Sequence, residues 1–141
     1  NPPKLARNVT SEECNDALKT LSNNKTPGSD GFPAEFYKFF WQDVKECVVN
    51  SINYAYQKGE MSIDQKRGLI SLTPKKDKDR LNIENWRPIT LLNTDYKILA
   101  KALAQRIQKV ITKLISADQY GCLSSYIFAI TMYCYTCLCL Q

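Results

Sequence analysis

The residues best suited to chemistry are cations that cluster around one predicted hairpin. Lys75 and Lys76 lie in a polar connection between two short apolar runs, and Arg87 lies on the second run. The planar guanidinium of arginine binds phosphate through two parallel hydrogen bonds, whereas lysine acts as a point charge. This group therefore suits the triphosphate of a nucleotide. The alternative is that Arg87 only pairs with Glu84 or Asp95.

A glycine-containing loop supplies a second candidate site. It runs from Lys25 to Gly31, and Pro27-Gly28 suits the two central positions of a type II turn. Gly28 and Gly31 would let the backbone approach a phosphate closely. The alternative, equally supported by the residues, is a connector between two helices whose glycines satisfy only turn geometry.

Three further cations lie along the last predicted helix, at Lys97, Lys101 and Arg106. Such a row can contact nucleic-acid phosphates regardless of base sequence, with an affinity that weakens as salt rises. It can equally be the solvated face of a core helix.

The elements that must position these residues follow from capping and apolar spacing. Thr10 and Glu13 form a predicted capping box that begins a first helix, with an apolar stripe at Cys14, Ala17, Leu18 and Leu21. A second helix is predicted from Pro33 to a stop at Gly59. Its expected buried stripe comprises Phe36, Phe40, Val44, Cys47, Val48 and Ala55.

Two strands, residues 68–74 and 86–92, are predicted to pair as a long hairpin with a charged tip. Pro88 cannot donate to a ladder, so the pair should lie at a sheet edge. A long helix follows, capped by Asn93 or Thr94, with apolar residues at helical spacing from Ile98 to Leu114. The predicted fold class is α+β, mostly helical, with one edge hairpin and three main helices.

Charge is distributed unevenly along the 141 residues. Residues 1–59 are balanced, residues 60–113 carry twelve basic and six acidic side chains, and Asp118 is the one charged residue after them. A basic middle segment is typical of proteins that bind nucleic acid or nucleotides. A composition of 44% hydrophobic and 23% charged residues indicates one globular domain rather than a disordered chain.

The last 23 residues differ from the rest. Residues 119–141 carry no charge, and the segment is long enough to cross a bilayer. Its serines and threonines nevertheless make it a poor spanning segment. The composition changes so abruptly after Gly121 that a junction is expected there. Cys134, Cys137 and Cys139 are a weak metal signal in a chain without histidine, so no metal site is predicted.

Three segments, in this order and at this separation, resemble the reverse transcriptases of non-long-terminal-repeat (long interspersed) retrotransposons. The first is Lys-Thr-Pro-Gly-Ser-Asp-Gly-Phe-Pro-Ala-Glu-Phe-Tyr-Lys at 25–38. The second is Pro-Lys-Lys-Asp at 74–77 with Asn-Trp-Arg-Pro-Ile at 85–89. The third is Leu-Leu-Asn-Thr-Asp-Tyr-Lys-Ile-Leu-Ala-Lys at 91–101, continuing through Arg106 to Asp-Gln-Tyr-Gly at 118–121.

The resemblance implies the N-terminal fingers region of an RNA-directed DNA polymerase, with domain limits 1–9 (N-terminal segment), 10–121 (fingers-like) and 122–141 (a tail unlike the family). It implies an RNA template, a DNA primer and a deoxynucleoside triphosphate as partners, a palm domain outside this chain, and a nuclear or cytoplasmic location. The implied nucleotide contacts are Lys75, Lys76 and Arg87. The implied template contacts are Lys25, Gly28, Gly31, Lys97, Lys101 and Arg106.

The family's catalytic aspartates have no counterpart here. Because Asp118 is the last acid in the chain, no residue after it offers a carboxylate for the paired Mg²⁺ of the full-length family. We therefore expect no bound cofactor, no polymerase activity from this polypeptide, and limited stability without a palm. Two other interpretations stay open: a non-catalytic nucleic-acid-binding module, and a membrane protein anchored by its tail.

Overall fold

Four helices, one hairpin and a last long helix follow one another along residues 7–114, the part of the chain that the computed structural model describes. In chain order the elements are α1 (Ser11–Thr20), α2 (Ala34–Phe39), α3 (Trp41–Lys58), α4 (Ile63–Lys66), β1 (Gly68–Pro74), β2 (Trp86–Leu92) and α5 (Thr94–Leu114). A single 3-10 turn, Ile83–Asn85, precedes β2. The predicted α+β class, mostly helical with one hairpin, is confirmed.

The predicted capping box begins α1. The backbone N–H of Glu13 donates to Thr10 Oγ1 at 3.3 Å, and the N–H of Thr10 donates to Glu13 Oε2 at 2.9 Å. Two of the unpaired amides at the helix start are thereby satisfied. The stripe that follows is buried at Cys14, Ala17 and Leu18, as its spacing predicts.

The single helix predicted from Pro33 to Gly59 is wrong in one respect, because it is broken at Phe40. That residue has φ −94° and ψ 17°, so α2 ends before it and α3 begins after it. Of the predicted stripe, Val48 and Ala55 are buried and Phe36 and Val44 are partly buried, whereas Phe40 is 42% exposed and Cys47 is exposed, contrary to the prediction. The other buried residues of α2 and α3 are Ala34, Tyr37, Trp41 and Ile52.

The hairpin has the predicted limits. β1 and β2 pair antiparallel, with Leu72 opposite Pro88, Thr73 opposite Arg87 and Pro74 opposite Trp86. Within the described part of the chain the sheet holds these two strands alone, so Pro88 lies on an edge strand as expected. Most residues on both faces of the hairpin are exposed, so it projects from the helices.

The core lies where α1, α3 and α5 meet. Leu18, Ile52 and Ile98 are each at most 1% exposed, and α5 packs along α1. The apolar side chains Ile98, Leu99 and Ala102 in the first half of α5 are therefore covered within this chain. Among residues 7–114 no helix combines the length and apolar character needed to cross a bilayer, and the predicted tail, residues 122–141, lies outside the described residues.

Candidate nucleotide and nucleic-acid interface

Arg87 and Lys76 present free cationic groups on the hairpin. Arg87 is exposed as the second residue of β2, close to the connection between the strands, and Lys76 is exposed in the turn after β1. Because side chains alternate along a strand, Arg87 and Trp86 lie on opposite faces. Within residues 7–114 neither cation has a hydrogen bond or ion pair, so the expected alternative partners, Glu84 and Asp95, do not hold Arg87.

The hairpin tip is fixed by hydrogen bonds from inside the connection. Lys75 Nζ donates to the Glu84 carbonyl at 2.8 Å, and the Lys75 N–H donates to the Asn85 carbonyl at 2.7 Å. The Trp86 indole donates to the Arg80 carbonyl at 2.9 Å. Lys75 therefore holds the connection closed, whereas Lys76 and Arg87 remain available to a ligand.

The packing and the backbone conformation of the fold explain why positions 28 and 31 are glycine. A Cβ on Gly28 would stand 2.5 Å from the backbone nitrogen of Asn93 and 2.6 Å from the carbonyl carbon of Leu92. Gly31 has φ +76°, and its N–H donates to the Gly28 carbonyl at 3.2 Å. The turn thus spans Gly28–Gly31, and the predicted type II turn centred on Pro27-Gly28 is wrong, since Gly28 lacks the positive φ that it requires.

Asn93 connects the loop to the rest of the fold, and the sequence did not single out this role. Its Oδ1 accepts from the Asp30 N–H at 3.5 Å and from Ser29 Oγ at 3.4 Å, and its Nδ2 donates to the Asp64 carbonyl at 3.0 Å. Thr94 Oγ1 donates to the Phe32 carbonyl at 2.8 Å. Of the two predicted caps of α5, Asn93 precedes the helix, which begins at Thr94.

Gln65 makes a similar connection from α4. Its Nε2 donates to Ser51 Oγ at 3.1 Å and to Asp95 Oδ2 at 2.9 Å, which links α3 to α5. A capping box between Ser62 and Gln65 begins α4. That Ser-x-x-Gln pattern is a readable signal for this short helix, and the sequence interpretation missed it.

Two of the cations predicted to contact the template share a cavity. Lys25 and Lys97 line a space of about 190 Å³ between the α1–α2 loop and the first turn of α5. Burial lowers the pKa of Lys97, although the nearby Asp30 carboxylate acts in the opposite direction. Lys101 lies one turn further along α5, outside this cavity, and is partly buried.

Arg106 has a different environment from the other cations. It is 7% exposed, and its guanidinium donates to both carboxylate oxygens of Glu13, at 2.9 and 2.6 Å. It also donates to the carbonyls of Arg7 and Asn8, at 2.7 and 2.8 Å. Hydrogen bonds from Arg106 lower the pKa of Glu13 to about 2. Arg106 thus ties α5 to α1 and to the chain that precedes it, and the predicted template contact of Arg106 has no free donor face in this arrangement.

Two of the described acidic side chains, Asp30 and Asp95, are engaged in hydrogen bonds within the fold. Among residues 7–114 there is no group of three or more histidine, cysteine, aspartate or glutamate side chains that could hold a metal ion. Asp30 Oδ1 accepts from the Phe32 N–H, and Asp95 accepts from Gln65 and from the Tyr96 N–H. Both carboxylates therefore serve local structure.

Comparison with known proteins points to a mobile genetic element. No protein-family model matches the chain. Over 116 residues, which is 82% of its length, the chain is 41% identical to the Transposon TX1 uncharacterized 149 kDa protein of Xenopus laevis. The aligned part spans 9% of that much longer protein. The similarity supports a transposon origin for this chain.

Proposed function

We propose that this chain is a fingers segment of the RNA-directed DNA polymerase of a non-LTR retrotransposon, and that its hairpin binds the triphosphate of the incoming deoxynucleotide. The observation that carries the proposal is the projecting hairpin with Arg87 and Lys76 exposed and unpaired among the described residues. The transposon relative is consistent with this source.

The chemistry of the ligand explains why these two side chains suit it. A triphosphate spreads negative charge over several oxygens, and cations that are already in place stabilise that charge without reorganising. Arg87 offers two parallel donors, and Lys76 adds a mobile point charge. The hydrogen bonds of Lys75 and Trp86 hold the connection between the strands in place. The connection therefore loses less conformational entropy when a ligand binds.

The template strand is proposed to contact the other basic surface. Lys25, Lys97 and Lys101 are the cations retained for this role, together with the turn from Gly28 to Gly31. Arg106 is left out because its donors are engaged by Glu13 and by two carbonyls. The chain is proposed to bind and orient nucleotide and template, and no catalytic step is assigned to its carboxylates.

Equilibrium binding of a fluorescent deoxynucleoside triphosphate to the purified 141-residue chain tests the proposal. We expect Arg87→Gln and Lys76→Gln each to weaken binding about ten-fold, since a hydrogen bond to a charged group contributes about 1.5–3 kcal/mol. Arg67→Gln is the matched control, because Arg67 adjoins the same hairpin but already pairs with Asp64 at 3.2 Å.

If the double variant Arg87→Gln/Lys76→Gln binds the deoxynucleoside triphosphate as tightly as wild type does, the hairpin site is ruled out. Binding of an RNA–DNA duplex without any binding of nucleotide would instead favour the non-catalytic nucleic-acid-binding module.

A further inference from the structure

The cavity between the α1–α2 loop and α5 combines cationic and hydroxyl-bearing side chains with the apolar Leu21 and Ala34. Its volume of about 190 Å³ equals that of about six water molecules, which is enough for a phosphate group. Lys25 and Lys97 both line it, as do Ser22 and Thr26, whose side chains carry hydroxyl groups. Among the described residues that line the cavity none is acidic.

The two lysines carry positive charge that this part of the chain leaves uncompensated. Within residues 7–114 the ammonium groups of Lys25 and Lys97 make no hydrogen bond and no ion pair, and the backbone N–H of Lys97 donates to the Asn93 carbonyl. Lys97 is partly buried, so it has lost some of its hydration without gaining a partner. Asp30 acts on Lys97 electrostatically but makes no ion pair with it, and its Oδ1 accepts from the Phe32 N–H at 3.1 Å.

We propose that this cavity, which we call the Lys25–Lys97 pocket, binds one tetrahedral phosphate group between the two ammonium groups. A phosphate there would restore the solvation that Lys97 loses and would accept hydrogen bonds from both lysines and from neighbouring hydroxyls. The phosphate is either one unit of a single-stranded nucleic-acid backbone or free phosphate. The nucleic-acid source rests on the proposed function, whereas binding of phosphate itself does not.

Titration of the isotope-labelled chain with inorganic phosphate, followed by amide chemical shifts, tests the pocket directly. We expect saturable shifts at Ser22 and Thr26 with a single dissociation constant, weakened about ten-fold by Lys97→Gln. Lys25→Gln provides a second variant at an exposed position that the fold does not need, and Lys45→Gln on α3 removes the same charge outside the pocket. Circular dichroism confirms that each variant is folded.

A second experiment measures the affinity of the chain for a fluorescent oligothymidylate at several salt concentrations. If the phosphate belongs to a nucleic-acid backbone, the double variant Lys25→Gln/Lys97→Gln should reduce the slope of log affinity against log salt by about 0.7, the value for one lost phosphate contact on a single strand. Lys45→Gln should leave the slope unchanged. A normal slope in the double variant, together with the expected phosphate shifts, would assign the pocket to free phosphate.

Shifts that never saturate, or that are the same in wild type and Lys97→Gln, would overturn the proposal. The effect of Arg87→Gln on nucleotide binding tests the hairpin and does not depend on the pocket. If the pocket does not bind phosphate, the phosphate titration shows it; if the hairpin does not bind nucleotide, the nucleotide assay shows it.

Discussion

At the scale of single residues, the pair of Arg106 and Glu13 shows how a basic side chain can serve the fold instead of a ligand. The side chain of Arg106 is 6% exposed and that of Glu13 is 19% exposed, so the pair is largely removed from water. The side-chain hydrogen bonds of Arg106 to Glu13, Arg7 and Asn8 reach residues more than ninety positions away in sequence. No local pattern could have predicted them.

Breaking this pair should strongly destabilise the protein. Arg106→Met leaves two carbonyls without their donor and removes the more buried of the two guanidinium groups that pair with Glu13, which keeps only the exposed Arg7. We expect a cost of about 2–4 kcal/mol in the free energy of unfolding. The exposed pair of Arg67 and Asp64 is the control, and Arg67→Met should cost less than about 1 kcal/mol. Urea unfolding measures both, and similar losses in the two variants would contradict the assignment of Arg106 as an anchor.

The same pair predicts the acid limb of the stability curve. The hydrogen bonds that Arg106 donates to Glu13 lower the pKa of the Glu13 carboxyl from 4.5 to about 2. A carboxyl with a depressed pKa in the folded state stabilises above its unfolded pKa, and that contribution is lost as the pH falls from about 4.5 to about 2. Glu13→Gln should therefore be less stable than wild type at pH 6, with the difference shrinking towards pH 2.5. A difference that is constant over this range would count against the pair.

At the scale of elements, the junction between β2 and α5 organises the candidate site. Asn93 is 3% exposed and lies against Gly28, while its side chain reaches both the Gly28–Gly31 turn and α4. The turn is thereby held beside the start of the helix that carries Lys97. Gly28 serves this close packing and Gly31 the backbone conformation of the turn, and their contact with a template remains a prediction.

Substituting the two glycines should separate close approach from backbone conformation. Gly28→Ala places a methyl group against the Asn93 and Leu92 backbone, which cannot move aside easily, and we expect a loss of about 2–3 kcal/mol. Gly31→Ala meets nothing within 4 Å and should cost only the strain of its positive φ, about 1–2 kcal/mol. Thermal unfolding compares them, and a larger loss for Gly31→Ala would refute the close approach at Gly28.

The elements that local chemistry determines were predictable. Both strands have the predicted limits, because turn-forming residues and prolines mark their ends, and the start of α1 follows from its capping box. The break at Phe40 was not predictable from spacing, since no proline or glycine marks it. Which helix faces meet in the core depends on tertiary packing, so Cys47 could be assigned to a buried stripe although it is exposed.

At the scale of the whole molecule, a helical body supports a projecting hairpin. The body buries Leu18, Ile52 and Ile98, whereas Ile70 and Leu72 on the hairpin are 67% and 54% exposed. The sequence predicted the hairpin and its cations but not how far both faces would stand clear of the helices. This exposure leaves Arg87 and Lys76 accessible.

Photo-crosslinking tests the central claim most directly. An azido-deoxynucleoside triphosphate is irradiated with the 141-residue chain, and the labelled peptides are identified by mass spectrometry. We predict saturable labelling within residues 75–87, abolished by excess unlabelled triphosphate and strongly reduced in Arg87→Gln but not in Arg67→Gln. Labelling that falls elsewhere in the chain, or that persists unchanged in Arg87→Gln, would contradict the hairpin as the nucleotide site.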